Sequence, residues 1–280
     1  MGPVAGIEGN VPSPEPTSGA PASRRFEALV CDLDGVVTDT ASLHRAAWKT
    51  TFDELLGRWR AAGRLDAAGA APFTDDDYRT WVDGRPREAG VASFLASRGV
   101  VLPAGSPDDP PGERSAWAVG NAKDAVFADL LRRHGVEVFA STVRFVQVAR
   151  RAGMGTAVVS SSAHCRQVLE RAGLEGLFDV VVDGEVARAG GLPGKPDPAT
   201  FLEACRRLGV TAARSVLVED AVVGVEAGRR GGFGLVVGID RDGTRREELG
   251  RWADVVVADL SELDPLDLFG AGQEVGEGRR

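Results

Sequence analysis

The sequence predicts an α/β protein, with a doubly wound, mainly parallel sheet of the Rossmann-like type and an inserted helical cap. Short β-branched runs recur along the chain, and each is followed by a helical pattern. Several runs are apolar at consecutive positions, as expected for strands covered on both faces. The stretch 41–126 interrupts this alternation and reads as helices, which indicates a domain inserted after the first strand.

The individual elements follow from local signals. Strands are predicted at Ala28–Cys31, Thr156–Val159, Val180–Val182, Ser215–Val218, Leu235–Val237 and Val255–Val257. Helices between them are predicted at Thr142–Ala152, Ala163–Ala172, Pro198–Leu208 and Val222–Gly228. The third helix has the clearest limits, because Asp197 suits the N-cap, Pro198 the first helical position and Gly209 the position past the end.

The inserted stretch is predicted to hold helices at Ala41–Leu56 and Lys123–Arg133, with a loop rich in proline and glycine at 103–113. That loop is either part of a specificity element or only an insertion. Four tryptophans lie in the stretch or at its edge: Trp48, Trp59, Trp81 and Trp117. Aromatic rings can stack on sugars, but a small helical domain also needs bulky side chains in its core, and we favour packing.

The predicted domain limits are a tail at 1–24, a core at 25–40 and 127–269, a cap at 41–126 and a second tail at 270–280. Both tails are rich in glycine, and the first is also rich in proline. Neither has an apolar period, so we expect disorder at the first and flexibility at the second.

Composition excludes several classes of protein. The 280 residues include 33 Lys and Arg against 41 Asp and Glu, a net charge of −8, and 43% are hydrophobic. Such a chain can form a core, and its acidity argues against nonspecific binding to nucleic acid. The three cysteines form no metal-binding or redox motif, which favours a reducing compartment. Without a recognisable signal peptide or membrane span, we expect a cytoplasmic protein, monomeric and without membrane partners.

The residues that carry chemistry follow predicted strands. Asp32 and Asp34 come at the end of the first strand, in the segment CDLDGVVTDT. Carboxylates at positions i and i+2 point to the same side, at the sheet edge where α/β proteins bind ligands. Asp39 is expected only to cap the next helix. Further candidates follow later strands or open helices: Ser160, Lys195 in GKPDP, Glu219 and Asp220.

These motifs, in this order, resemble those of the haloacid dehalogenase superfamily. The segment 38–49, the sequence DGRPR at 83–87 and the sequence NAKD at 121–124 resemble its beta-phosphoglucomutase-like subgroup. The resemblance covers roughly Phe26 to Leu260. It departs after the second-motif serines, where the subgroup has a basic residue and an asparagine and this chain has Ala163 and His164.

The resemblance implies catalytic roles. Asp32 would be the nucleophile that forms an aspartyl phosphate, and Asp34 the general acid and base. Lys195 and Ser160 would bind the transferring phosphoryl group, helped by backbone amides where the turn 161–163 opens a helix. The implied cofactor is Mg²⁺, because an anionic nucleophile needs a cation to approach a phosphate. The implied metal ligands are Asp32, Asp34 through its backbone carbonyl, Asp220 and, less directly, Glu219.

The resemblance also implies a set of substrate-binding residues. Arg87 would hold a distal phosphate, and Lys123 would reach into the active site from the cap. His44 would couple sugar binding to Asp34. The implied set is His44, Trp48, Arg87, Lys123, Ser161, Ser162 and His164. Because Ala163 stands where the subgroup has a basic residue, we expect weaker binding of a distal phosphate. His164 or Arg166 could compensate.

The function implied is a Mg²⁺-dependent mutase for a small phosphorylated sugar. It would interconvert beta-glucose 1-phosphate and glucose 6-phosphate through beta-glucose 1,6-bisphosphate. The alternative is a sugar-phosphate phosphatase of the same superfamily, in which water completes the reaction. A noncatalytic ligand-binding relative is disfavoured, because Asp32, Asp34, Lys195 and Asp220 are all present.

Overall fold

A computed structural model describes residues 26–269 and confirms the predicted fold class. Six parallel strands form one sheet in the order β3-β2-β1-β4-β5-β6. The strands are β1 Ala28–Asp32, β2 Gly155–Val159, β3 Val180–Val182, β4 Ser215–Glu219, β5 Leu235–Ile239 and β6 Val255–Val257. The strand order reverses between β1 and β4, and the crevice at such a point is where doubly wound proteins bind ligands.

The helices differ from the predicted ones mainly at their ends. They are α1 Thr40–Ala61, α2 Asp75–Asp77, α3 Arg87–Ser97, α4 Ala116–His134, α5 Ala140–Arg151, α6 Cys165–Arg171, α7 Gly184–Ala189, α8 Ala199–Leu208, α9 Val222–Arg230, α10 Arg246–Gly250 and α11 Pro265–Phe269. Helix α2 continues into a π-helical turn, Tyr78–Val82. None of the helices in the described range is long and apolar enough to cross a membrane.

The sheet is covered on both faces, as its apolar strands predict. Leu29 and Cys31 of β1 lie in one buried cluster, with side chains of α4, α5 and α6. Val30, between them, lies in a second cluster on the other face, with side chains of α8, α9 and α10. Alternate residues of one strand therefore pack into opposite layers, which fixes β1 at the centre of the core.

The cap consists of α1, α2 with its π-helical turn, α3 and most of α4, around its own apolar cluster. Trp48 and Trp59 are buried there, and Trp81 packs against it, in agreement with the packing interpretation. Helix α4 continues through the boundary predicted at 126/127, and Phe127 lies in a core cluster. The cap and the core therefore share this helix.

The loop at 103–113 is fixed to the cap by hydrogen bonds. The Asn121 side-chain amide donates to the carbonyls of Pro107 and Asp109, at 3.0 and 2.7 Å. The indole of Trp59 donates to Glu113 at 2.8 Å. These contacts explain how a segment rich in proline and glycine keeps one conformation.

Two predicted helix caps need correction. Asp39 occupies the N-cap position of α1, but its side chain makes no capping hydrogen bond. The predicted start at Pro198 was one residue early, since α8 begins at Ala199 and the Asp197 carboxylate accepts from the Ala199 amide at 2.9 Å. Gly209 lies just past the end of α8, as predicted, and has the left-handed conformation. The predicted tails at 1–24 and 270–280 lie outside the described residues.

Candidate active site

A cleft of about 620 Å³ lies between the carboxyl edge of the sheet and the cap. It is open enough for solvent to enter and is lined by both domains. The predicted site residues that line it are Asp32, Asp34, His44, Trp48, Arg87, Lys123, Ser161, Ser162, Lys195, Glu219 and Asp220. Ser160 lies behind Asp34, and His164 lies beside the cleft against Asp124. The fold thus brings together residues far apart in the chain.

Asp32 ends β1 and is bound to Lys195. The Lys195 ammonium donates to Asp32 and, at 2.5 Å, to Glu219. All three side chains are buried. Burial opposes the charge of Lys195, but Asp32 and Glu219 outweigh it and raise the pKa of the ammonium. Lys195 therefore keeps its positive charge beside the predicted nucleophile.

Glu219 has both carboxylate oxygens engaged. One accepts from Lys195 at 2.5 Å, and the other accepts from the Ala221 amide at 2.6 Å. The Gly224 backbone packs against it so closely that a Cβ there would lie 1.8 Å from Glu219 Oε1. This arrangement is suited to holding Lys195 in place, and it leaves Glu219 less suited to direct metal ligation.

Asp34 is held by two hydroxyl groups. Thr40 donates to its Oδ1 at 2.5 Å and Ser160 to its Oδ2 at 2.9 Å. Burial would raise the pKa of Asp34, but His44 and these hydrogen bonds lower it below its usual range. Asp34 is therefore ionised here, in the form that can accept a proton. Thr40 begins α1, so the same contact connects the acid/base candidate to the first cap helix.

His44 of α1 lies over Asp34 from the cap side. Its Nδ1 lies 2.7 Å from the Lys123 ammonium, and its Nε2 lies 3.4 Å from Asp34 Oδ1. The ring stacks on Phe127, with centroids 4.0 Å apart. Burial and Lys123 lower the pKa of His44, so the imidazole is neutral at pH 7. Since Lys123 can only donate, we assign the proton to Nε2, which faces Asp34 without a hydrogen-bond partner.

Asp124 is the centre of a second cluster, on the cap side. Arg87 donates to it, Lys123 lies 3.5 Å away and His164 Nε2 lies 3.8 Å away. The Arg87 guanidinium also lies over the ring of Trp117, 5.0 Å from its centroid. Asp124 thus positions Arg87 and Lys123, the two cap cations predicted to bind substrate. Burial works against its charge, but His164, Lys123 and Arg87 lower its pKa to about 2.

The serines after β2 connect the core to the cap. Ser161 donates to the carbonyl of Gly84 at 2.9 Å, across the cleft. The Ser162 amide donates to Ser160 Oγ at 3.0 Å, and Ser162 Oγ accepts from the His164 amide at 3.1 Å. Helix α6 begins at Cys165, two residues later than predicted. The turn at 161–164 is therefore ordered by its own side chains.

Asp220 follows β4 and packs against Gly35. A Cβ at Gly35 would lie 2.1 Å from Asp220 Oδ2, and the φ angle of Gly35 is +90°, so both space and backbone require glycine. Burial, with Glu219, Asp83 and Asp32 nearby, raises the pKa of Asp220 well above its usual range. Burial also raises the pKa of Asp32, although Lys195 lowers it. The two carboxylates thus carry more negative charge than Lys195 compensates.

This charge imbalance is what a divalent cation would relieve. Asp32 and Asp220 provide the hard oxygen ligands that Mg²⁺ prefers, and Mg²⁺ usually retains several waters. In residues 26–269, no three acidic, histidine or cysteine side chains form a ready-made metal-binding group. Two carboxylates, one backbone carbonyl and waters are therefore a better fit than a complete cage of side chains.

Sequence reasoning missed three residues of the site: Asp83, Asp124 and Arg245. Asp83 and Asp124 line the cleft, and Arg245 forms an ion pair with Asp83 at 3.0 Å. Asp83 and Asp124 stand inside the recognised segments DGRPR and NAKD, where attention to the acidic residues would have found them. Arg245 follows no motif, and its sequence carries no signal for this position.

Comparisons with known proteins agree with this geometry. A family model described as haloacid dehalogenase-like hydrolase matches residues 26–232. The chain is 46% identical over 245 residues to a beta-phosphoglucomutase of Mycobacterium bovis, with 85% of this chain and 92% of that protein covered. A solved beta-phosphoglucomutase of Clostridium difficile superposes with a TM-score of 0.66 at 20% identity, covering 85% of this chain and 93% of that one. CbbY from Rhodobacter sphaeroides, solved in complex with xylulose-(1,5)bisphosphate, has a TM-score of 0.64 at 23% identity, covering 85% and 96%.

Proposed function

The chain belongs to the haloacid dehalogenase-like hydrolase family and is an enzyme, and from that premise we propose that it is a Mg²⁺-dependent sugar-phosphate mutase. The reaction is the interconversion of beta-glucose 1-phosphate and glucose 6-phosphate through beta-glucose 1,6-bisphosphate. One observation carries the proposal: the paired carboxylates Asp32 and Asp34 face a cleft that the cap closes with Arg87 and Lys123. The Mycobacterium bovis relative, which is named for this activity, supports it.

The chemistry begins with transfer of one phosphoryl group from beta-glucose 1,6-bisphosphate to Asp32, which leaves a glucose monophosphate. A carboxylate oxygen of Asp32 attacks the phosphorus, the bond from phosphorus to the sugar oxygen breaks, and Asp34 gives that oxygen a proton. Lys195, held by Glu219, contributes a fixed positive charge to the equatorial oxygens. Asp34 is ionised when the site is empty, so the proton that it gives here must be the one that it took from a sugar hydroxyl in the preceding half-reaction.

Mg²⁺ would bind to Asp32, Asp220 and the backbone carbonyl of Asp34, where it would neutralise charge between the carboxylate and the phosphate. Glu219 then serves the site by holding Lys195, since both of its oxygens are engaged. Asp34 keeps its side chain for proton transfer, because Thr40 and Ser160 orient it. These contacts support the proposed division of the acidic residues into metal ligands, a proton carrier and a residue that holds Lys195.

In the second half of the reaction, a glucose monophosphate presents its free hydroxyl to the aspartyl phosphate, and transfer of the phosphoryl group forms the bisphosphate again. A hydroxyl of the bound sugar attacks the aspartyl phosphate, the bond to Asp32 breaks, and Asp34 takes the hydroxyl proton. Arg87 and Ser162 would hold the distal phosphate. His164, beside them, would compensate for Ala163, which stands where the subgroup has a basic residue. A closed cap keeps water away from the aspartyl phosphate, which would otherwise hydrolyse.

A single assay tests the proposal. The protein is given beta-glucose 1-phosphate, Mg²⁺ and a trace of glucose 1,6-bisphosphate, and glucose 6-phosphate and inorganic phosphate are measured together. Formation of glucose 6-phosphate with little phosphate release is the expected result. Stoichiometric phosphate release without isomer formation would instead identify a sugar-phosphate phosphatase, which shares the first half-reaction. If neither glucose 6-phosphate nor inorganic phosphate is formed, both activities on this sugar are contradicted.

Asp32→Asn is the variant that tests the intermediate. The amide cannot act as the nucleophile, so we expect no phosphorylated enzyme and no turnover. The matched control is Asp76→Asn, an exposed cap carboxylate that does not line the cleft. Turnover at the wild-type rate in Asp32→Asn would refute the role of this residue.

A further inference from the structure

Arg245 forms an ion pair across the boundary between core and cap. Its Nη1 lies 3.0 Å from Oδ2 of Asp83, a cap residue, and its Nη2 lies 3.8 Å from Oδ2 of Asp220, which follows β4. All three side chains are mostly buried. A guanidinium with several fixed donors is well suited to bridging two carboxylates in this way.

The core holds Arg245 in place through its backbone. Its amide donates to both carboxylate oxygens of Asp240, at 3.3 and 3.2 Å. Asp240 is buried at the end of β5, and its own amide donates to the carbonyl of Val257 at 2.8 Å. Arg245 is therefore anchored to the sheet, and it reaches toward the cap from a fixed point.

Asp83 lies where the cap packs against the core. Its amide donates to the carbonyl of Tyr78 at 2.9 Å, at the end of the π-helical turn. The next residue, Gly84, has a φ angle of +71° and packs so tightly that a Cβ would lie 2.7 Å from Val223 Cγ2. Closing the cap thus brings the Asp83 carboxylate to the acidic edge of the sheet.

That approach is unfavourable without a compensating cation. Asp83 lies beside Asp220, in a cleft that also contains Asp32 and Glu219, and like charges repel more strongly between mostly buried side chains than in bulk water. Lys195 is already engaged by Asp32 and Glu219. Arg245 lies between the cap carboxylate and the core carboxylate, and its charge turns the repulsive approach into an attractive one.

We propose that Arg245 is a positioning residue that holds the cap closed by bridging Asp83 of the cap and Asp220 of the core. Its effect on product distribution rests on the proposed function. With the cap closed, water is kept from the aspartyl phosphate, which then reacts with a sugar hydroxyl. With the cap open, water reaches it and phosphate is released. Arg245 therefore raises the proportion of isomer over free phosphate without touching the reacting atoms.

The test combines three variants: Arg245→Ala, Asp83→Asn and the double variant. Arg245→Ala leaves the Asp83 carboxylate near Asp220 without the cation that pairs with it, so it should open the cap most. Asp83→Asn removes one carboxylate and should have a small effect. The double variant removes the repulsion as well as the bridge, and it should therefore recover most of the closed population lost in Arg245→Ala. This order distinguishes the proposed bridge from a general loss of packing.

Cap position is measured directly, by the distance between labels on Ala61→Cys in the cap and Glu175→Cys in the core. Both sites are exposed, and the three native cysteines are buried, so labelling is selective. We expect Arg245→Ala to reduce the ratio of closed to open molecules about tenfold, within the usual range of coupling between two sites. Arg251→Ala, which removes an exposed arginine from the same region, is the matched control.

The second readout is the ratio of released phosphate to isomer, which should rise in parallel with cap opening in Arg245→Ala. Arg245→Lys keeps the charge and should restore part of the closed population. An unchanged distance distribution in Arg245→Ala, or no recovery in the double variant, would overturn the proposal. If the wild-type protein makes no isomer, the distance measurement still decides the role of Arg245, so the two proposals fail separately.

Discussion

At the scale of single residues, the carboxylates of the site differ in the groups that surround them. Asp34 accepts from two hydroxyls and faces a neutral His44. Asp32 faces Lys195, and Glu219 has no free oxygen. The hydrogen-bond donors around each carboxylate thus suit it to a different role. Each role predicts a different consequence of replacing the carboxylate with an amide.

Asp34→Asn should affect proton transfer and leave the proposed metal site nearly unchanged. The amide can still accept from Thr40 through its oxygen, but it cannot give or take the proton that the reaction needs. We expect turnover to fall by about 10²–10⁴-fold, the usual contribution of a general acid or base. Mg²⁺ affinity, measured by calorimetry, should stay within a few-fold of the wild-type value. A large loss of Mg²⁺ affinity would show that the Asp34 side chain is a ligand.

Asp124→Asn should destabilise the fold in a pH-dependent way. The pKa of Asp124 is lowered to about 2, so its carboxylate stabilises the folded state above its ordinary pKa and loses this effect as the pH falls from about 4 to about 2. At pH 7 we expect the variant to lose about 2 kcal/mol of unfolding free energy. Urea unfolding at pH 7, 4 and 3 measures the difference between variant and wild type, which should shrink toward acid.

Asp129→Asn is the control for this measurement. Asp129 lies on the same helix and pairs with Arg132 and Arg133 at 2.9 and 2.7 Å, but at the surface. Exposed ion pairs contribute about 0–1 kcal/mol, so its removal should have little effect at any of these pH values. Equal effects of the two substitutions would contradict a special role for the Asp124 cluster.

At the scale of elements, close packing of helices on the sheet fixes the catalytic groups. Helix α9 begins at Val222, two residues after Asp220, and its Gly224 lets the Glu219 side chain lie against the helix backbone. Glu219 in turn holds Lys195, which comes from the loop before α8. The position of one lysine therefore depends on a glycine in another element.

Gly224→Ala should disturb this arrangement. Its added Cβ would lie 1.8 Å from Glu219 Oε1, so Glu219 must move and Lys195 loses a partner. We expect a loss of about 1–3 kcal/mol of stability, typical of overpacking, together with a loss of turnover. The matched change is Gly57→Ala in α1, where nothing lies within 4 Å of the new Cβ. There, alanine should stabilise the helix by about 0.5–1 kcal/mol. Thermal unfolding and turnover of both variants give the comparison.

Local sequence patterns were sufficient to predict the strands and the residues at their ends. Asp32, Ser160 and Asp220 follow buried strands, and parallel strands bring such residues to one edge. Helix α7 was missed because its six residues are too few to show a helical period. The role of Glu219 could not be predicted, because it depends on which donors reach its two oxygens. Those donors come from separate segments.

At the scale of the whole molecule, the net charge of −8 is not spread evenly. Six acidic side chains line one cleft between the sheet and the cap: Asp32, Asp34, Asp83, Asp124, Glu219 and Asp220. Sequence motifs predicted that four of them meet. Of the other two, Asp83 meets Arg245 across 162 positions of sequence, and no local pattern predicts a contact between segments so far apart in the chain.

This concentration of charge predicts that Mg²⁺ stabilises the whole fold. A ligand that binds only the folded state stabilises it by about 2.7 kcal/mol at a concentration 100 times its dissociation constant. For a chain of this size we therefore expect thermal unfolding to shift upward by about 5–10 °C. Sodium chloride at equal ionic strength should not reproduce the shift, because screening acts on all surface charges, whereas the cleft needs a divalent ion bound between Asp32 and Asp220. Asp220→Asn should abolish the shift, whereas Glu247→Gln, an exposed carboxylate on α10, should retain it. A full shift in Asp220→Asn would place the cation elsewhere and would remove Asp220 from the proposed metal site.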